Sequence, residues 1–380
     1  MKAYGTLSDQ IGYDTIRGDA NRPWMILAAL VTAAAFGLSL VFVSVYREPV
    51  TGVADQVGRC AVAVCSAMTP TARLAVTAVS IVATVIAVSA CMGQPVAELA
   101  RTSPDLVYAV VDGNDQRLDL YLPATTAKAP LVLYFHGGGW SYGSRKNYGK
   151  VGWQADESTP FAQLVAAGYA VASVDYRLSS QAKWPAQIVD AKAAVRWLRA
   201  NADRYHIDSN HVAAWGDSAG GHLAAMLGTS GGVAELEGSE GSAGYSSRVQ
   251  AVADWFGPTD LLTIDDQALD DGRSTVHLAE GSAESLLLGC VATRCPERAR
   301  AASPVTYVSS DDPPVLLLHG RFDHIVPFGQ SIEFRDALHR AGVHTEFHAY
   351  DCDHEFSGAA PPPEQIRATL ITFLDQTFGR

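Results

Sequence analysis

Residues 211–222 read HVAAWGDSAGGH. The run from His211 to Trp215 is short and mostly apolar, as a strand is. From Gly216 to Gly221 every residue is small or turn-forming. The residues from His222 to Gly228 then favour a helix. The stretch reads as strand, sharp turn, helix, with Ser218 at the apex. Gly216 and Gly220 flank the serine in a G-x-S-x-G spacing. Glycines there let strand and helix approach closely while the serine takes a strained turn. This places the chain in the α/β class, because such a turn works only at the carboxyl edge of a largely parallel sheet.

Working upstream, residues 131–135 (LVLYF) form a continuous apolar run, the signature of a strand buried on both faces. It leads into His136-Gly137-Gly138-Gly139-Trp140, about 80 residues before the serine turn. Consecutive glycines allow backbone N–H groups to turn inward, so Gly138 and Gly139, with the amide of Ala219 after the serine, are candidate donors to an oxyanion. Residues 106–111 and 118–122 read as a hairpin closed by Asp112-Gly113-Asn114-Asp115. Residues 161–168 read as a helix and 170–175 as a strand. An amphipathic helix runs from Pro185 to Tyr205, with Ile188, Ala191, Val195 and Leu198 on one face.

Downstream, a serine needs a base, and the base needs an orienting acid. Residues 315–319 form an apolar strand, and Asp323 follows it. Residues 345–350 form the last strand, and His354 follows that. The chain order serine, acid, histidine is the one this fold class uses. The candidate catalytic set is therefore Ser218, Asp323 and His354. Asp351 and Asp353 compete for the acid's role, but they lie too near His354 in sequence to reach its far ring nitrogen. His344, Glu346 and His348 alternate along one strand, which an exposed edge explains without a metal. His136 is expected to brace the glycine loop, and His222 and Cys352 to pack.

Together HGGGW, DYRL, PAQIVDAKAAVRWLRANADRYHID, WGDSAGGHLAA, DWFGPTDLL and HGRFDHIVP resemble the bacterial feruloyl-esterase-like α/β-hydrolases, near the hormone-sensitive lipase group. The resemblance covers residues 105–380. It implies an eight-stranded, mostly parallel sheet with helices on both faces, and carboxylic-ester hydrolysis without a cofactor. The histidine motif, DCDHEF at 351–356, departs from the Gly-His-Gly-like turn common among these relatives. A serine peptidase of the same fold and a non-catalytic binding protein are the alternatives.

Residues 1–92 lie outside this likeness. Two apolar runs, 24–46 and 74–92, are each long enough to cross a bilayer. Read from Met68, the second run instead has the layout of a signal peptide ending in Val88-Ser89-Ala90-Cys91, a lipobox-like site, which also raises Met68 as the translational start. Both readings hold the catalytic domain at a membrane. The lipoprotein reading places it outside the cytoplasm. Residues 93–104 read as a tether. Cys290 and Cys295 are spaced for a local bridge, which suits an oxidising compartment, though two unrelated thiols would read the same. A net charge of -12 argues against nucleic acid as a partner, and a small-molecule ester is the expected one. Residues 229–247 are expected to form a mobile loop, and 260–303 a small cap. Trp140, Tyr142 and Trp255 either wall the pocket with aromatic rings or serve as ordinary packing.

Overall fold

The computed structural model describes residues 101–125, 127–147, 160–358 and 361–380. The chain divides into two units, Met1–Met92 and Gly93–Arg380, and everything described belongs to the second. The apolar runs 24–46 and 74–92, and Cys91, lie outside the described residues. Among those described, no helix is long and apolar enough to cross a membrane.

Eight strands form one sheet: β1 (Arg101–Val111), β2 (Asn114–Leu122), β3 (Ala129–Phe135), β4 (Ala170–Val174), β5 (Ile207–Asp217), β6 (Ala251–Trp255), β7 (Val315–Gly320) and β8 (Thr345–Tyr350). Their spatial order is β1-β2-β4-β3-β5-β6-β7-β8. β1 pairs antiparallel with β2, and β2 antiparallel with β4. The remaining neighbours are all parallel. This is the mostly parallel sheet that the motifs implied.

Alternation along the strands divides the core. Leu131, Leu133 and Phe135 of β3 face one side, in the core cluster that also holds residues of α2 (Ala186–Ala200), α3 (Ala219–Thr229) and α4 (Gly329–Ala341). Val132 and Tyr134 face the other, against α1 (Pro160–Ala166) and α5 (Pro363–Phe378). With both faces covered, all seven residues of β3 are buried, which is why that strand reads as an unbroken apolar run.

Several boundaries differ from expectation. The helix foreseen over 185–205 breaks at Asn201, beyond which only a short turn of helix, Ala202–Tyr205, remains. β5 is longer than its apolar stretch because it begins at Ile207. β1 starts at Arg101, opposite Leu122, so the end of the expected tether is sheet. β6, α4 and α5 were not assigned from sequence at all. The cap over 260–303 is a chain of short helical turns, including Ala283–Leu288 and Pro296–Ala301. The Cys290–Cys295 disulfide closes a loop inside it, with Cα atoms 6.3 Å apart.

The stretch 229–247 is not the mobile loop its composition indicated. Glu237 pins it. Lys192, fully buried in α2, donates to Glu237 Oε1 at 2.6 Å and to Ser230 O at 2.7 Å. Arg196 donates to Glu237 O at 2.8 Å, and Ser247 Oγ donates to Glu237 Oε2 at 2.8 Å. Glu237→Ala would leave the Lys192 ammonium buried without its counter-charge, a loss of about 3–5 kcal/mol. Urea unfolding of the purified variant checks this, and a change below about 1 kcal/mol would contradict it.

Candidate active site

The serine turn is a product of crowding. Ser218 sits between β5 and α3 with φ 52° and ψ −119°, a conformation L-residues rarely adopt. Its own N–H donates to Trp255 O of β6 at 2.8 Å, which holds the strained residue in place. One turn on, Gly220 passes so close to β3 that a Cβ would collide with the carbonyl oxygen of Phe135. Glycine is required there for space rather than for backbone freedom.

The loops after β7 and β8 bring the other two candidates to this point. His354 Nε2 lies 3.2 Å from Ser218 Oγ, and His354 Nδ1 lies 2.7 Å from Asp323 Oδ2. Asp323 is fixed through its other oxygen, which accepts the amides of Ile325 at 2.9 Å and Val326 at 2.7 Å. Behind it is His319, which went unassigned in the sequence. Its Nε2 is 3.3 Å from Asp323 Oδ2 and 2.9 Å from Val326 O. Its Nδ1 is 2.7 Å from Ser331 Oγ.

The electrostatics follow from burial and proximity. Burial opposes charge on Asp323, but the neighbouring His354 and His319 outweigh it and hold the carboxyl well below its usual range. Burial likewise lowers His354, and the charge and hydrogen bond of Asp323 more than reverse this, so its pKa is raised. An ionised Asp323 accepts a hydrogen bond from Nδ1–H and leaves the Nε2 lone pair of neutral His354 facing Ser218.

The rival acids are engaged elsewhere. Asp351 pairs with Arg321 at 2.7 Å on the surface. Asp353 accepts the amides of His324 at 2.9 Å and His354 at 2.7 Å, and it lies 2.6 Å from His324 Nδ1. The second ring nitrogen of His324 is 2.9 Å from Asp271 in the cap, so this histidine ties the cap to the His354 loop. Sequence held no signal for that tie, since the two carboxylates lie 53 and 29 residues away from His324.

Gly138 and Gly139 turn back beside Ser218 with φ of 106° and 55°. A side chain at Gly138 would run into the Tyr142 carbonyl. Ala219 opens α3, and amides in a helix's first turn lack an intrahelical acceptor. A cavity of about 600 Å³ is lined by Gly138, Gly139, Ser218, Ala219 and His354, with Asp323 buried behind the histidine. The six sequence-predicted residues thus converge on one place.

The supporting histidines behave as expected. His136 stacks on Tyr176 with ring centroids 4.4 Å apart, and Tyr176 Oη donates to His136 O at 2.8 Å. His222 accepts from Trp140 Nε1 at 3.2 Å and lies 2.7 Å from Ala302 O. Burial pushes its pKa down to about 4, so it stays neutral and donates through Nε2. Burial pushes the Cys352 thiol up to about 11, which leaves it a packing residue. His344 and His348 flank Glu346 on β8 at 3.7 and 3.9 Å. Among the described residues no group of three or more His, Cys, Asp or Glu could hold a metal ion.

The aromatic wall is only partly realised. Tyr142 borders the cavity and is exposed. Trp140 also borders it, but its ring is buried against His222. Trp255 lies on the far side of the sheet, packed on Trp215 and Phe356, because alternation along β6 points it away from the site.

The sheet order, the elbow and the placement of serine, acid and histidine after three strands define an α/β-hydrolase. The BD-FAE family model matches residues 118–338, more than half of the sequence, and the chain belongs to that family. Among curated proteins it is similar to the esterase LipC of Mycobacterium tuberculosis, 33% identical over 60% of this chain and 54% of LipC. The esterase LipQ of the same organism is 30% identical over 70% of this chain and 61% of LipQ. The chain therefore spans only about half to three fifths of these relatives' length. A solved structure, a truncated carbohydrate esterase from gut microbiota, superposes with a TM-score of 0.64 at 29% identity. That match covers 74% of this chain and 97% of that one.

Gly220→Ala tests the crowding directly. The added methyl must push β3 and α3 apart, at about 3 kcal/mol or more. Lower thermal stability together with lost fluorophosphonate labelling of Ser218 is expected. A stable, fully labelled variant would refute the steric argument.

Proposed function

We propose that the protein is a serine carboxylic-ester hydrolase working through an acyl-enzyme. The observation that carries this is the continuous chain from Ser218 Oγ to His354 at 3.2 Å and from His354 to the buried Asp323 at 2.7 Å. Family membership and the names of the relatives, esterases in each case, support the same reading.

In the proposed cycle, His354 Nε2 takes the Ser218 hydroxyl proton as Oγ bonds to the ester carbonyl carbon. The carbonyl oxygen becomes an oxyanion facing the amides of Gly138, Gly139 and Ala219. Collapse expels the alcohol, which leaves with the proton from His354. Water then gives a proton to His354 and attacks the acyl carbon. Ser218 departs and recovers that proton, and the acid is released. Asp323 stays ionised throughout and stabilises the imidazolium in each half of the cycle.

Hydrolysis of p-nitrophenyl acetate, butyrate and octanoate by residues 93–380 tests this beside Ser218→Ala and His354→Ala. Each substitution is expected to lower kcat by about a thousandfold or more with little change in fold. A folded wild type that neither turns over these esters nor reacts with a fluorophosphonate would favour a binding protein. Faster turnover of peptide amides than of esters would favour a peptidase.

We further propose that the apolar runs 24–46 and 74–92 hold this domain at a membrane, with the domain outside the cytoplasm. The support is compositional, since each run matches a hydrocarbon core of about 30 Å. Full-length protein should sediment with membranes of intact cells, with its domain open to added protease, and removal of residues 1–92 should release it. Soluble full-length protein would end this reading.

A further inference from the structure

The cavity has a roof as well as a floor. Ser218, His354 and the glycine turn form the floor. Part of the roof comes from the cap, through His277 and Glu284. His277 Nδ1 lies 2.9 Å from Glu284 Oε1, and the two residues are only 4% and 3% exposed. A carboxylate buried this deeply requires a counter-charge. The His277 imidazole is the group in position to supply it. Burial lowers the His277 pKa, but Glu284 outweighs this and raises it.

Two atoms of the pair are left over. Glu284 Oε2 and His277 Nε2 are both buried, and neither has a hydrogen-bond partner among the described residues. Folded proteins seldom bury an acceptor without a donor. Nor can the side chain readily swing out to water, because its helix is fastened at three places. Ser282 Oγ accepts Ser285 N at 3.1 Å and donates to His277 O at 2.5 Å. Lys183 Nζ donates to Leu286 O at 2.7 Å. Below, a Cβ on Gly139 would stand 3.1 Å from Ala283 Cβ, so the helix rests directly on the glycine turn. Both residues line the cavity, so a group bound there is the partner available to them.

We propose that Glu284, held by His277, is a specificity-determining residue that accepts a hydrogen bond from a hydroxyl group of the ester substrate. This rests on the esterase reading above. A hydroxyl can both donate and accept, so it suits an unpartnered carboxyl oxygen beside an unpartnered imidazole nitrogen better than an ammonium, which can only donate. Asp353 and Glu355 on the same cavity wall disfavour an anionic substrate. The enzyme should therefore prefer hydroxylated esters, such as those of polyols, to their O-methylated counterparts, which offer no donor.

The test compares 2-hydroxyethyl with 2-methoxyethyl butyrate, and p-nitrophenyl 3-hydroxybutyrate with its 3-methoxy analogue. The first pair places the hydroxyl on the alcohol side and the second on the acyl side. A kcat/KM preference for the hydroxylated member of at least about tenfold is expected in one pair. In Glu284→Gln the carboxamide oxygen faces His277 and the NH₂ group faces the cavity. The preference should then fall to near unity, while p-nitrophenyl butyrate turnover and fluorophosphonate labelling persist. Labelling also reports that the variant is folded, and Glu284→Met serves as the second variant if Glu284→Gln is not. Active enzyme with no hydroxyl preference in either pair, or with a preference that survives Glu284→Gln, overturns the proposal. Wild type that is inactive on every ester and unlabelled defeats the esterase reading instead.

Discussion

Close backbone contact between α3 and β3 sets the geometry of everything around the site. Gly220 lies against the Phe135 carbonyl with no room for a side chain, and Ser218 is bent into a strained conformation as a result. That strain persists because three neighbouring strands over-determine it. β5 delivers the residue, β6 accepts its amide through Trp255, and β3 carries the glycine turn that faces it. The same approach brings Gly138 and Gly139 beside Ala219, so the proposed nucleophile and the proposed oxyanion donors share one steric origin.

Charge is arranged around that point with the same economy. Asp323 would be costly to bury alone. Two backbone amides and two histidines surround it, and the carboxylate stays ionised. It can then hold His354 in a single tautomer. Buried acids nearby behave differently. Asp217, under the glycine loop, accepts from Tyr134 Oη at 2.5 Å, yet burial still pushes its pKa up to about 6. Two buried carboxyls thus shift in opposite directions, because one has two histidines hydrogen-bonded to it and the other a phenol.

The cap gives the pocket its individuality. Its segment between β6 and β7 is held from below by His324, which reaches both Asp271 and Asp353, and from the side by Lys183. These ties hold the segment that carries the His277–Glu284 pair, which lines the same cavity as Ser218. The core of the fold supplies a reaction class, and the cap supplies the polar chemistry that would choose among substrates.

Much was legible in the sequence, for physical reasons that can be named. A run buried on both faces, as at 131–135, has only one reading, and a glycine-flanked serine after such a strand has few. Placing Asp323 and His354 followed from chain order and strand ends. β6 and α4 escaped because their short or mixed patterns are unremarkable without neighbours to pack on. Glu237 escaped because its stretch is rich in Gly and Ser, and its partners Lys192 and Arg196 lie more than forty residues upstream. The role of Trp255, pocket wall or packing, stays open in the sequence because its face depends on the phase of β6. His319, His324 and the His277–Glu284 pair were equally hidden, because each is defined by partners on other segments. Local patterning by itself determined the elbow, the fold class and the candidate catalytic set. Tertiary packing alone decided which polar groups are buried, and therefore which carry charge and which still lack a partner, because burial is a property of the assembled chain.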